Sequence, residues 1–151
     1  LLERSAGLAG GAVPVFVVED LLSGVPAESL AALTAMVPLP PLDGTPRSGI
    51  VLSASALRRF PVEMGQILAH EIGHALGLFH TSERTGLQHD PLGDTAECDA
   101  DDDTNDDGAV SVSECRGRGA ENLMFWACCA STDPVISADQ RFVALRSALA
   151  R

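Results

Sequence analysis

The chain's 151 residues, 46% of them hydrophobic, suffice for one domain around one core. Ten basic residues, all arginine, stand against 21 acidic ones for a formal net charge of −11, which leaves no basic face for a phosphate backbone and excludes a nucleic-acid partner. No run approaches the roughly 18 consecutive apolar residues of a membrane span, and no charged-then-apolar leader is visible. Since the chain starts at Leu1 without an initiator methionine, a removed signal or pro-segment is expected.

"LLERSAGLAGG" (1–11) reads as a helix end, and "AVPVFVVED" (12–20) as a buried strand. A connection containing Pro26, Pro38, Pro40, Pro41 and Pro46 follows, within which "AESLAALTAM" (27–36) predicts a short helix. "SGIVLSAS" (48–55) alternates as a second strand. Pro61 fits the first turn of a helix whose Met64, Ile67, Leu68, Ile72, Ala75 and Leu76 make it apolar over most of its circumference, as in a helix buried between two layers.

That helix carries "AHEIGHALGLFH" (69–80), with three of the four histidines. Residues four apart share a helix face, so His70 and His74 present their imidazoles to one point, with Glu71 beside it. Gly77 can take a left-handed conformation, end the helix and turn His80 back toward that point. Three nitrogens supply three corners of a zinc tetrahedron and leave the fourth open, which marks a catalytic rather than a structural zinc. An incidental helix histidine is the plain alternative, but here five specified positions agree. The remaining histidine, His89, falls in a loop with no assigned role.

From Glu97 to Asp107, seven of eleven residues are acidic, and such density repels itself unless something neutralises it. "DTNDDGAVSVSE" (103–114) has the register of a calcium loop: Asp103, Asn105 and Asp107 at positions 1, 3 and 5, Gly108 at 6 and the Ala109 carbonyl at 7. Ser111 stands at 9 and Glu114 at 12, where a bidentate carboxylate completes the shell. No incoming helix precedes it, so the expected role is to stiffen rather than to sense. The alternative is a merely solvated acidic loop.

Cys98, Cys115, Cys128 and Cys129 have no C-x-x-C spacing, so disulfides are favoured over zinc capture. Because pairing adjacent residues closes a strained ring, the expectation is two bridges from Cys98 and Cys115 to the 128–129 pair. Disulfides and calcium point to a secreted or extracytoplasmic location. Residues 81–135 read as one long irregular stretch. Ser137 and Gln140 form a capping box for a closing helix, about 138–150, with Phe142, Leu145 and Leu149 on its apolar side and Val143 at the margin.

His70-Glu71-x-x-His74-x-x-Gly77-x-x-His80 resembles the zinc signature of the metzincin metallopeptidases, and Met124 in "ENLMFW" (121–126) suits that clan's methionine turn, an apolar floor beneath the metal. "GLFHTSE", "DPLGDTAEC" (90–98) and "NLMFW" look most like the pappalysin family; the similarity covers residues 65 to about 140. Position 96 is alanine where the family's loop usually has proline. The chain has no tyrosine, and Trp126 stands where related enzymes often place one near the metal. Residues 1–60 also leave less room before the helix than related domains use, so the domain is expected to be reduced or the chain to be part of a larger whole.

The resemblance implies an α+β zincin-like catalytic domain over 1–151: a small twisted sheet and the zinc helix (upper half, 1–80) above a loop-rich, disulfide- and calcium-stapled lower half (81–151). It also implies calcium in the acidic part of the chain, a cleft between the two halves, and the second strand at the sheet edge, where it could hold a peptide in extended form. The expected activity is that of a monomeric zinc-dependent endopeptidase in which Glu71, as general base, takes the proton of a metal-activated water attacking a protein or peptide substrate. The rival readings are a weak or inactive zincin-like binding module stiffened by calcium, and a structural zinc protein, which the open coordination position argues against.

Overall fold

The computed structural model describes residues 1–6, 12–22, 29–40 and 44–150. Strand β1 (Val15–Val18), β-branched and aromatic throughout, pairs in parallel with β5 (Ile50–Ser53), which pairs antiparallel with β4 (Ala32–Thr34), giving the order β1-β5-β4. A separate ladder joins β2 (Leu21–Leu22) to β3 (Ser29–Leu30). The N-terminal residues form a single 3-10 turn over Leu2–Ser5.

Two expectations are corrected here. The second strand, β5, is the centre of the sheet, and the edge belongs to β4. The helix expected over 27–36 is absent: residues 29–30 and 32–34 are strands, while 27 and 28 lie outside the described residues, as do Pro26 and Pro41. Alanine and leucine favour a helix locally, but the register Ala32↔Leu52, Leu33↔Val51, Thr34↔Ile50 buries Ala32 and Thr34 and turns Leu33 outward, so tertiary pairing prevails.

After β5, Ser53 caps an unanticipated short helix α1 (Ala54–Arg59) by accepting a hydrogen bond from Ala56 N. Pro61 lies in the following turn, and the histidine helix α2 (Met64–Ala75) starts three residues later. It packs on β4 and β5, where Ala75, Ile50 and Leu39 form a core flanked by Leu52, Leu68 and Leu149. Ile72 is exposed, so α2 is covered on the sheet side and not all round as expected. Among the described residues no helix is long and apolar enough to cross a membrane.

Residues 81–135 are irregular, as expected, apart from one 3-10 turn over Ala100–Asp102. Cys98, Val110, Cys115, Ala120 and Phe125 form a second small core. The expected disulfide connectivity is wrong: Cys98 pairs with Cys115, their Cα atoms 5.6 Å apart inside that core, and Cys128 pairs with Cys129. Cys98 and Cys115 are fully buried beside each other where the acidic loop begins and ends, whereas Cys128 is exposed, so the two sets of sulfurs do not meet.

The closing helix α3 (Ala138–Arg146) has the predicted capping box, with Ser137 Oγ accepting from Gln140 N and Gln140 Oε1 accepting from Ser137 N. It is shorter than predicted, giving way to a 3-10 turn over Ala148–Ala150. Its supposed apolar side is also wrong, since Phe142 and Leu145 are exposed and only Leu149 reaches the upper core. What docks α3 is polar: Gln140 is fully buried and exchanges hydrogen bonds with the Asn122 amide at 2.9 and 3.2 Å. The expected α+β class holds among the described residues, with a three-stranded sheet, three α-helices and disulfides that fit an oxidising, extracellular setting.

Asp94 reinforces the start of α3 from the neighbouring loop, accepting from Ser137 Oγ at 2.7 Å and Asp139 N at 2.9 Å. Those bonds favour the carboxylate and hold its pKa below the ordinary 3.8. A folded pKa below the unfolded one contributes stability that is full above the unfolded value and lost as pH falls through the folded one. Asp94→Ala is therefore predicted to unfold more readily than wild type at pH 7. Paired thermal melts should show the difference shrinking below about pH 4; a difference that persists in acid would deny the carboxylate its role.

Candidate metal centre

Helix α2 places His70 and His74 one turn apart, and its end returns His80 to them. Gly77 has φ 104°, Leu78 N donates to Gly73 O at 2.9 Å, and Gly77 N donates to His74 O at 3.0 Å. This pair of bonds is the Schellman arrangement, which satisfies the last carbonyls and reverses the chain. The result is convergence: His80 Nε2 lies 3.2 Å from His70 Nε2 and 3.1 Å from His74 Nε2.

The far side of each ring decides what these nitrogens can do. His70 Nδ1 lies 2.7 Å from Leu123 O, and His74 Nδ1 lies 2.7 Å from Leu78 O. A carbonyl only accepts, so each Nδ1 carries the proton and each Nε2 presents a lone pair. His80 Nδ1 lies 3.0 Å from Glu83 Oε2 without a hydrogen bond between them. Lone pairs aimed at one point repel unless a cation lies between them. Tetrahedral zinc with bonds of about 2.0–2.1 Å sets its nitrogens about 3.3 Å apart, close to the spacing found. The donor set therefore fits a zinc-like ion, with the fourth corner open.

Burial favours the neutral, metal-binding form of His70 and His74. It pushes the His70 pKa down to about 3, helped by the charge of His74 and opposed by the Leu123 carbonyl. Burial also lowers His74. Glu71 is nearly enclosed, and burial raises its pKa, opposed by the hydrogen bond from Thr34. The Thr34 hydroxyl lies 2.5 Å from Glu71 Oε2 and 2.8 Å from Glu71 O, fixing the carboxylate to the edge strand β4.

Met124 is fully buried beneath α2, where a Cβ on Gly73 would collide with its Sδ. Met124 O accepts from Thr81 N at 2.9 Å, and Met124 N donates to Asn122 Oδ1 at 2.8 Å. Met124 thus packs its sulfur against α2 at Gly73, inside the histidine motif. Leu30, Ala31, Ala32, Ile67, Trp126 and Cys128 line a depression of about 170 Å³ that His70 and Glu71 also border. Trp126 occupies the wall where a tyrosine was looked for, its Nε1 donating to Val110 O at 2.8 Å.

Sequence reasoning missed Thr34, Glu83, Gly73 and the Leu123 carbonyl. Thr34 joins from another strand, Leu123 through its backbone, Glu83 from the turn after His80, and Gly73 by the side chain it lacks, none of which the histidine spacing reports. The expected calcium ligands are placed in register but not gathered. Asp103 accepts from Gly108 N and Asp107 N, Asn105 and Asp107 accept from the N–H groups of Asp107 and Ala109, and Glu114 closes the loop through Thr104 and Ser111. Those hydrogen bonds from Ser111 and Thr104 hold the Glu114 pKa down to about 2. Asp106, with φ 57°, and Gly108, with φ 82°, make the turn. Among the described residues, sets of three acidic, histidine or cysteine ligand atoms within 4.8 Å occur at His70, His74, His80 and at His89, Glu97, Asp99.

No family model, curated protein or solved structure matches the chain.

Gly77→Ala is predicted to destabilise the fold by about 1–2 kcal/mol, the usual cost of a Cβ in left-handed backbone, and to weaken zinc binding because it shifts His80. Thermal melts with and without zinc test this; a variant melting and binding like wild type would mean that the turn does not place His80.

Proposed function

We propose that the chain is a zinc-dependent peptide hydrolase of the metzincin kind, nearest in pattern to the pappalysins. One observation carries the reading: the Nε2 atoms of His70 and His74 converge on that of His80, at 3.2 and 3.1 Å, with a buried, anchored carboxylate beside them on the same helix. A structural site would close the fourth corner with a further ligand, whereas a general base beside an open corner is what hydrolysis requires.

His70, His74 and His80 would hold the ion, and zinc bound there supplies a Lewis acid for a water and for the scissile carbonyl. Glu71 takes the proton released as the water attacks and returns it to the leaving amine. Its raised pKa suits both tasks, because a more basic carboxylate accepts the proton more readily. Thr34 holds one carboxylate oxygen and so sets the direction of the other.

Strand β4 offers its free edge along the depression, where Leu30, Ala31 and Ala32 form one wall. An extended peptide adding to that edge would bring its carbonyls past His70 and Glu71. The acidic loop, by its register, would take calcium as a stiffening ion, and the disulfides suit secretion.

Hydrolysis of a denatured protein by the zinc- and calcium-loaded chain, set beside Glu71→Ala prepared identically, tests the reading. The variant should keep its zinc and lose at least about 100-fold in rate, the usual worth of a general base. Wild type that binds zinc and cuts nothing would replace the enzyme reading with that of a binding module. Chelating calcium should lower the melting temperature of wild type and leave that of Glu114→Gln unchanged; equal responses in the two would remove calcium from the loop.

A further inference from the structure

His89, Glu97 and Asp99 belong to neither the three-histidine centre nor the acidic loop in calcium register. We propose that they form a second metal site, one that takes a divalent transition metal such as zinc.

Cys98 is fully buried, its sulfur fixed to Cys115, and its N–H donates to Ser82 Oγ at 2.8 Å. In extended chain, neighbours of an inward-pointing residue point outward together, so Glu97 and Asp99 are presented on one side of Cys98. His89 is brought there by its bridge to Ser82. Its side chain is only 18% exposed, with Nε2 3.3 Å from Cys98 O. That carbonyl can only accept, so the proton sits on Nε2 and the lone pair on Nδ1. Glu97 Oε2 lies 4.0 Å from that Nδ1, while Asp99 Oδ1 flanks the other edge of the ring, 3.6 Å from Nε2, and must swing toward Nδ1 to join it.

An imidazolium clamped by two carboxylates would draw them to about 2.7–2.9 Å, and neither has closed to that distance. One ligand atom from each residue lies within 4.8 Å of the others. Ligands of one zinc ion stand about 3–3.5 Å apart; half-exposed Glu97 can close that gap by rotation, and half-exposed Asp99 by giving up the Asp102 N–H that it caps. The imidazole selects the ion: a nitrogen donor suits zinc, whereas calcium and magnesium prefer all-oxygen shells.

The test is zinc stoichiometry of the full chain at equilibrium dialysis in excess calcium, which keeps oxygen-only sites occupied, with histidine-ring NMR as a second readout. Wild type should bind two zinc ions, His89→Ala one and His74→Ala one; in His74→Ala, zinc should still shift the His89 ring resonances. The size-preserving pair Glu97→Gln with Asp99→Asn should also bind one, which covers a failure of His89→Ala to fold. One zinc in wild type, retained by His89→Ala, overturns the second site and leaves the catalytic reading intact. One zinc retained by His74→Ala and lost in His89→Ala would uphold this site and overturn the three-histidine centre.

Discussion

Everything at the three-histidine centre depends on carbonyls that face the imidazoles from behind. A neutral histidine ring can carry its one proton on either of two distinct nitrogens, and an acceptor at Nδ1 removes the choice. Leu78 O does this for His74 from the turn that ends α2, and Leu123 O does it for His70 from the segment just before Met124. The centre therefore exists only where the end of the histidine helix meets residues 122–124. Gly73 permits that meeting by leaving room for Met124 against the helix.

Gln140 shows how the lower half secures this contact. Its amide exchanges two hydrogen bonds with Asn122, whose Oδ1 also receives Met124 N, and its Oε1 at the same time caps α3 through Ser137 N. A fully buried amide so placed cannot be exchanged for an apolar residue without stranding Asn122, because unsatisfied buried polar groups cost about 1–3 kcal/mol each. This also explains why α3 tolerates Phe142 and Leu145 in solvent. The helix is held by its first turn, and its apolar residues contribute little.

The legible part of the molecule was the part encoded by local periodicity. His70, Glu71, His74, Gly77 and His80 sit within one helix and its terminating turn, so helical geometry and the chemistry of glycine suffice to bring them together. The Ser137–Gln140 capping box was readable for the same reason. Thr34 was not, since its contact with Glu71 spans 37 residues and depends on β4 being a strand, against the helical preference of its neighbours. The disulfide expectation failed for a related reason. It weighed the cost of joining adjacent cysteines, but the deciding fact was that Cys98 and Cys115 share a buried core that spacing does not reveal.

That core also carries the coupling between the acidic loop and the cleft. Val110 belongs to the loop, is fully buried beside Cys98, Cys115 and Phe125, and receives the Trp126 indole N–H on its carbonyl. Trp126 in turn walls the depression beside His70 and Glu71. A segment with almost no regular structure has few backbone hydrogen bonds of its own to resist opening, so its stiffness must come from the disulfide, the small core and whatever neutralises its carboxylates. A cation that ordered Asp103–Glu114 would therefore act on the wall of the depression through one residue: by fixing Val110 it would fix the acceptor that holds Trp126 in place, and its loss would loosen that wall before it disturbed His70 and His74, whose own supports lie at Leu123 and Leu78.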